Sequence, residues 1–425
     1  MMLALYSMVT WALQPFARRK AMHRRASEPV YGERIEERFG RYDAFTHDPS
    51  RPLIWMHAVS LGETRAAAIL LKELRLAIPN MRLLLTNGTA TGREEGVKLL
   101  QAGDVQVWQP WDTRTVTQSF FTHFKPNLGV LMETEIWPNL IASSKAAGVP
   151  VVLANARMSE KSYKKTLKFK WLASQAYRGL AQVYAQTQDD AKRLVLLDAK
   201  VDGVLGNLKF DVTPNAEQLA NAAALRAGLL KPVILFASSR EGEELAFLNA
   251  LQALPDVART SAHWLIVPRH PQRFDEVASL IDAAGFMVLR RSTSSDFDTS
   301  HPIAIWLGDS LGEMTFYSGL ASVAFLGGSF EKLGGQNLIE LLACGCPVVM
   351  GRHTFNFLEA ATLAVASGVA FEVDGFASAI QQGLALCAQY KDLSNKAITF
   401  VSLHRGAAIR TADAIQKMLT QLLGQ

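Results

Sequence analysis

The feature that most constrains this chain is an alternation that is played twice. Short apolar runs are separated by helix-length amphipathic stretches through the first half, the pattern breaks, and it starts again. The first set of runs is Leu53–Ala58, Met81–Thr86, Val105–Trp108, Leu128–Met132, Val149–Ala154, Val183–Gln186 and Val201–Gly206, with helices expected over Thr64–Ala77 and Glu94–Leu100. The second set is Val233–Ala237, Trp264–Val267, Met287–Leu289, Ile303–Trp306, Val323–Leu326 and Pro347–Met350. Strands spaced by helices imply βαβ units and a parallel sheet. Between the two sets, Asp211–Leu230 is polar and Ala-rich, so the boundary is expected near Asp211–Lys231. A chain of 425 residues exceeds what one core normally serves. The expected architecture is α/β, with two Rossmann-like domains facing a central cleft: residues 31–211 and 231–425, behind an N-terminal segment of residues 1–30.

Composition narrows the chemistry. Hydrophobic residues make up 49% and charged residues 20%, which suits a buried core and argues against disorder. The net charge of +5 points to an anionic partner: nucleic acid, an acidic bilayer or a phosphorylated substrate. The three cysteines, Cys344, Cys346 and Cys387, are too few for a disulfide framework, and no Cys/His cluster has zinc spacing.

Met1–Phe16 is apolar and uncharged, and Arg18, Arg19, Lys20, Arg24 and Arg25 follow it. The run is shorter than the roughly 20 residues needed to span a bilayer, and its charges follow it, the reverse of a secretory signal. It is expected to anchor the chain at the cytoplasmic side of a membrane, with the cations at the anionic surface. A helix packed on the protein's own core is the plainer alternative.

Four loops of the first half gather polar residues at strand ends, where ligands sit in open parallel sheets. In His57–Glu63, Glu63 falls in the first turn of a helix, where the helix dipole is expected to lower its pKa and keep it an ionised base. A simple helix-start acid is the bland reading. Thr86–Gly92 is a hydroxyl-rich turn able to offer N–H groups to an anion. Met132–Asn139 carries Glu133 and Glu135 beside Trp137-Pro138. Residues two apart in an extended segment point the same way, so both acids can face one ligand. Asn155–Ser162 runs into Lys161, Lys164, Lys165, Lys168 and Lys170 interleaved with Tyr163, Phe169 and Trp171, which suits an anionic lipid surface as well as a solvated helix face. Lys209 stands in Gly206–Asp211, at the domain boundary.

The second half repeats the theme with cations and glycines. Ala237–Glu244 offers Ser238, Ser239 and Arg240; Ile266–Phe274 offers Arg269, His270 and Arg273. Gly308–Tyr317, Phe325–Phe330 and Gly334–Glu340 are glycine-rich turns, and glycine lets a backbone approach a ligand closely. Asn337 and Glu340, three apart, share a helix face, where an acid can hold ribose hydroxyls.

Taken in order, HAVSLGE, METEIWPNL, NARMSEKSY, EGEE, VPRHPQRF, FLGGS, GGQN and Gly351–Phe357 resemble the 3-deoxy-D-manno-octulosonic acid (Kdo) transferases of lipopolysaccharide synthesis. The resemblance covers about Tyr31 to Phe357. It implies a GT-B fold, an inverting glycosyltransferase with CMP-Kdo as donor and a lipid A precursor (lipid IVA) as acceptor, no cofactor and no metal at the site, and work at the cytoplasmic face of the inner membrane. By the same similarity Glu63 matches the general base, and Glu133 and Lys209 match groups that stabilise the transition state. Pro268, Arg269, Gly312, Glu313, Met314, Asn337, Leu338, Ile339 and Glu340 match the CMP-binding stretches. Two positions depart from the pattern: Gln336 stands where His is expected, and Ser239-Arg240 where Thr-His is expected. Gln336 can still donate a hydrogen bond but cannot transfer a proton. The alternatives are a GT-B enzyme using a UDP-sugar and a lipid-linked acceptor, a phosphohydrolase built on Arg269-His270, and a nucleic-acid binder. Pro271 after His270 disfavours the second, and no nucleic-acid module supports the third.

Overall fold

The computed structural model describes residues 2–26, 28–293, 301 and 304–424. Met1 and Ile303, which belong to two of the expected segments, lie outside the described residues. The chain forms two compact units: residues 1–211 together with 405–425, and residues 212–404.

In the first unit seven strands form one sheet: β1 (Leu53–His57), β2 (Arg82–Asn87), β3 (Val105–Trp108), β4 (Leu128–Met132), β5 (Val151–Ala156), β6 (Gln182–Ala185) and β7 (Gly203–Val204). Their order is β3-β2-β1-β4-β5-β6-β7, and every pairing is parallel. β1, β2, β4 and β5 are buried at every residue, which is why their central residues read as apolar runs, with polar residues such as Arg82, Asn87 and Asn155 near the strand ends. Alternate side chains of β1 serve opposite layers: Ile54 and Met56 join Leu70 and Leu74 on one face, while Trp55 joins Phe120, Phe121 and Leu140 on the other.

The second unit repeats this plan with β8 (Val233–Ser239), β9 (His263–Pro268), β10 (Val288–Arg290), β11 (Ile305–Leu307), β12 (Val323–Leu326), β13 (Val348–Met350) and β14 (Ala370–Glu372). The order is β10-β11-β9-β8-β12-β13-β14, again parallel throughout. Its main core gathers Phe236, Phe247, Trp264, Phe325 and Phe376.

Two expected boundaries change. The stretch Asp211–Lys231, expected to hold the boundary, is divided at its first residue: the first unit ends at Asp211, and the rest, with the helix Ala216–Ala227 capped by Asn215, belongs to the second unit. It was missed because only Ala222 is buried, so its apolar face is weak. The second unit also ends early. The helix Ala407–Leu423 returns to the first unit, where Ala407, Ala408, Ala412, Ile415 and Leu419 fill the layer against Leu70 and Leu74. Asp211 helps to fix this return: its carboxylate accepts the Ala408 N–H at 2.7 Å and the Gly406 N–H.

The expected membrane-anchoring segment is the helix Met2–Arg24. No helix among the described residues is long and apolar enough to cross a membrane. Its polar face points inward. Tyr6 donates to Asp112 (2.8 Å), Ser7 to Asn139 (2.6 Å), and Trp111 donates to the Thr10 carbonyl (3.0 Å). Leu5, Met8, Val9, Trp11, Leu13 and Phe16 are exposed on the outside.

Candidate active site

Each sheet has a switch point, where strand order reverses and the loops leaving two neighbouring strands diverge to leave a crevice. In the first unit it lies between β1 and β4, so the loops bearing Glu63 and Glu133–Glu135 are neighbours despite their separation in sequence.

Glu63 sits in the first turn of the helix Leu61–Ala77, whose N-cap is Ser60. The exchange is reciprocal: Ser60 Oγ accepts the Glu63 N–H, and the Glu63 carboxylate accepts from Ser60 Oγ (2.9 Å) and the Val59 N–H (2.8 Å). The expectation of a lowered pKa is overturned. Burial pushes the Glu63 carboxyl up to about 7, with Glu135 and Glu133 adding to it, against the two hydrogen bonds. Desolvation and like charge outweigh the helix terminus here, because the dipole effect amounts to ~1 kcal/mol or less at most helix ends.

Glu133 follows β4 with φ +56°, a left-handed conformation that costs a non-glycine residue energy and marks a constrained position. Its N–H is held by the Ala154 carbonyl and its Oε1 lies 3.2 Å from Lys209 Nζ. Asn155, at the end of β5, is also left-handed (φ +52°), and its side chain accepts the Leu208 N–H at 3.1 Å, fixing the turn that carries Lys209. Glu63, Glu133 and Lys209 are therefore brought together. Glu135 joins them: its carboxyl is raised, first by burial and then by Glu133, while the Trp137 indole donates to it at 3.0 Å. His57 is wholly buried, its Nδ1 2.7 Å from Thr86 Oγ1, and burial pulls it down to about 3, so it is a neutral packed imidazole.

In the second unit the switch point lies between β8 and β12. Gly327 hugs the end of β8, where a Cβ would stand 2.0 Å from the Ser238 carbonyl oxygen. Glu243, fully buried, accepts the N–H groups of Gly328 (2.7 Å), Phe330 (3.1 Å) and Arg240 (3.0 Å). Glu244 accepts Ser239 and both ends of the Arg273 guanidinium (2.7 and 3.2 Å). The paired acids of EGEE therefore clamp three loops of the site to one another, a role that the sequence reading did not give them.

The expected donor-binding residues fall around this clamp. Pro268 ends β9, and Arg269 after it donates to Gln336 Oε1 at 3.1 Å. Gln336 thus occupies the expected histidine's place as an acceptor for an arginine. Gly312 is left-handed (φ +80°) and leads into Glu313, whose carboxyl Arg291 (3.0 and 3.2 Å) holds below its ordinary value, with help from Ser310. Met314 starts the helix Met314–Leu320. Asn337 is the N-cap of Leu338–Ala343 and donates to Glu340 at 2.9 Å, so the two are joined as expected, although Asn337 stands at the cap and not within the helix. Leu338 and Ile339 are wholly buried, so what they offer a ligand is backbone and not side chain. Arg240 pairs with Glu241 at 2.9 Å. His270 lies beside Arg240 and Arg269, and burial followed by these cations lowers its pKa, leaving a neutral imidazole among guanidiniums.

Two parallel-sheet α/β units with polar strand-end loops at both switch points define a fold of the GT-B class. Solved structures agree at the level of fold. A glycosyltransferase from Rickettsia africae superposes with a TM-score of 0.56 at 14% identity, over 88% of this chain and 99% of that one. The UDP-GlcNAc 2-epimerase of Neisseria meningitidis superposes with 0.54 at 15% identity, over 87% and 99%. Since an epimerase shares it, the fold alone does not choose the reaction.

The sequence does choose. Residues 33–212 match the family model for 3-deoxy-D-manno-octulosonic-acid transferase (kdotransferase). The 3-deoxy-D-manno-octulosonic acid transferase of Bordetella pertussis is 43% identical over 392 residues, 90% of this chain and 91% of that one. That of Haemophilus influenzae is 33% identical over 401 residues, 92% of each. The chain belongs to the Kdo transferase family, and it is a glycosyltransferase.

Proposed function

We propose that this enzyme moves Kdo from CMP-Kdo to a hydroxyl of a lipid A precursor (lipid IVA), with inversion and without a metal, in lipopolysaccharide core synthesis. The observation that carries the proposal is the Glu63 carboxyl, raised to about 7 among Glu133, Glu135 and Lys209. A base poised near neutrality is well matched to taking a proton from a sugar hydroxyl. In this reading Glu63 accepts that proton as the acceptor oxygen forms its bond to the anomeric carbon of Kdo. The bond from that carbon to the CMP phosphate oxygen breaks, and the electron pair leaves with CMP. Positive charge develops on the ring, where Glu133 can stabilise it, and Lys209 balances the carboxylates. Pro268, Arg269, Gly312, Glu313, Met314, Asn337, Leu338, Ile339 and Glu340 hold the nucleotide. Arg269 supplies charge at its phosphate, and the Asn337–Glu340 pair supplies ribose contacts.

We further propose that the chain works on an anionic membrane surface, the cytoplasmic face of the inner membrane, with its first helix lying in the interface. The polar face of that helix is spent on the protein and its apolar face is exposed. Phe169 and Trp171, exposed within the lysine-rich stretch, extend the same kind of surface, and Trp171 lines one pocket with Leu3.

The test is product mass. Purified protein, the lipid A precursor and CMP-Kdo generated in place should yield a mass gain of one or more Kdo units, equal with and without EDTA. Turnover of UDP-sugars with none of CMP-Kdo would replace this reading with the UDP-sugar alternative.

A further inference from the structure

The first helix does more than present an apolar face; it reaches the site. The helix Pro138–Ala146 follows directly on the Glu133–Trp137 loop, and its own N-cap residue, Trp137, makes no side-chain capping bond. The cap comes from elsewhere in the unit. Asp112, buried after β3, accepts the N–H groups of Asn139 (3.2 Å) and Leu140 (2.8 Å), and its carbonyl accepts from the Asn139 amide (2.7 Å). A helix N-terminus whose N–H groups lack partners is costly when buried, so this carboxylate fixes where the helix begins. The oxygen of Asp112 that receives Asn139 also receives the Tyr6 hydroxyl at 2.8 Å, and Ser7 donates to the Asn139 side chain at 2.6 Å. Within the loop, Trp137, the residue just before this helix, donates to Glu135, one of the two carboxylates that raise Glu63.

We propose that Tyr6 and Asp112 are positioning residues for the acceptor half of the site: through them the N-terminal helix holds the Glu133–Trp137 loop against Glu63. The proposal rests on the reading of Glu63 as the base. It means that the first helix acts on catalysis even where no membrane is present.

Full-length Tyr6→Phe and Asp112→Asn, and the double variant, test this on a detergent-dispersed acceptor without vesicles. Tyr6→Phe removes one oxygen and keeps the ring. The expected result is a fall in kcat of about tenfold, with CMP affinity and vesicle binding unchanged, and a double variant no worse than the poorer single, since residues acting through one contact do not add. Glu63 faces Glu135 and Glu133, the latter paired with Lys209. Loosening the loop moves Glu135 away and admits water, so the acidic limb of the pH profile should shift down by about half a unit. Amide hydrogen exchange at residues 133–140 should quicken in both single variants, a readout that needs no turnover. If wild type failed to transfer Kdo, the functional reading would fall while the exchange measurement still judged the coupling. Wild-type exchange and kcat in both variants would overturn the proposal. So would additive losses with an unmoved acidic limb, because these would make the two residues independent supports of the fold.

Discussion

Lys209 Nζ stands 3.2 Å from Glu133 Oε1, an ion pair formed between the turn after β7 and the loop after β4. It is the positive charge paired with a group of carboxylates that includes Glu63 and Glu135. Replacing Lys209 with Met should leave Glu133 uncompensated and raise the Glu63 pKa further. The expected outcome is a loss in kcat on the order of 10²-fold, an acidic limb moved to higher pH, and unchanged affinity for CMP. Steady-state rates across pH, together with calorimetry of CMP binding, check all three.

Glu63→Gln keeps the shape of the side chain and removes the base. Transfer should fall by roughly 10²–10⁴-fold, with CMP affinity within about twofold of wild type, because the base serves the acceptor. In the wild type the rate should drop about tenfold per unit of pH below about 7, where Glu63 takes up its proton. A collapse of CMP binding in the variant would make Glu63 structural.

The same carboxyl carries a prediction about stability. Its pKa is raised in the folded state, from 4.5 to about 7, so folding favours the protonated form. The contribution of that form is full below about 4.5 and is lost as pH rises through 7. Glu63→Gln, a permanent mimic of the neutral acid, should raise the melting temperature relative to wild type at pH 8 and not at pH 4. Thermal melts at the two pH values decide it.

Glu243→Ala should strike the second unit. It strips the acceptor from Gly328, Phe330 and Arg240 N–H groups around a wholly buried side chain. Unsatisfied buried donors cost roughly 1–3 kcal/mol each, so a lower melting temperature and weaker CMP binding are expected. Glu243→Gln, which keeps one acceptor oxygen, should lose less. Equal CMP affinity in all three proteins would separate the clamp from the donor site.

Trp11→Ser and Phe16→Ser test the interfacial helix. Both side chains are more than half exposed, at 64% and 69%, and neither touches the polar contacts that dock the helix. Burying such a side chain in a bilayer interface contributes ~1.5–3 kcal/mol, so each change should weaken sedimentation with anionic vesicles by about tenfold or more. Rates on detergent-dispersed acceptor should hold.

Much of the fold was legible because parallel strands buried on both faces are largely apolar along their length. β4 and β12 were readable to the residue for that reason, β3 was readable to the residue through Val105, Val107 and Trp108 despite Gln106, and most other strands were readable to within two. β14 lies at the sheet edge, and its burial falls away from Ala370 to an exposed Glu372, so it gave too little apolar pattern to see. The return of the helix Ala407–Leu423 to the first unit was not legible, since nothing local says which core an apolar face will find. Among the candidate site residues, Glu63 and Glu133 were singled out by standing just after strands, and Arg269 by its motif. Tyr6, Asp112 and Asn155 did not, because a tyrosine in an apolar run and an acid in a loop acquire their roles only from partners far along the chain.

The sequence by itself determined the two parallel sheets, the loops at their switch points and the family, since these follow from local periodicity and ordered motifs. Tertiary structure decided the state of those groups. The helix terminus favours an ionised Glu63, but burial and the charges of Glu133 and Glu135 outweigh it, and these exist only once β1 and β4 lie side by side. The acids of EGEE became clamps and the first helix turned its apolar face outward for the same reason: solvation and electrostatics depend on what surrounds a residue, and that is set by contacts that sequence neighbours do not encode.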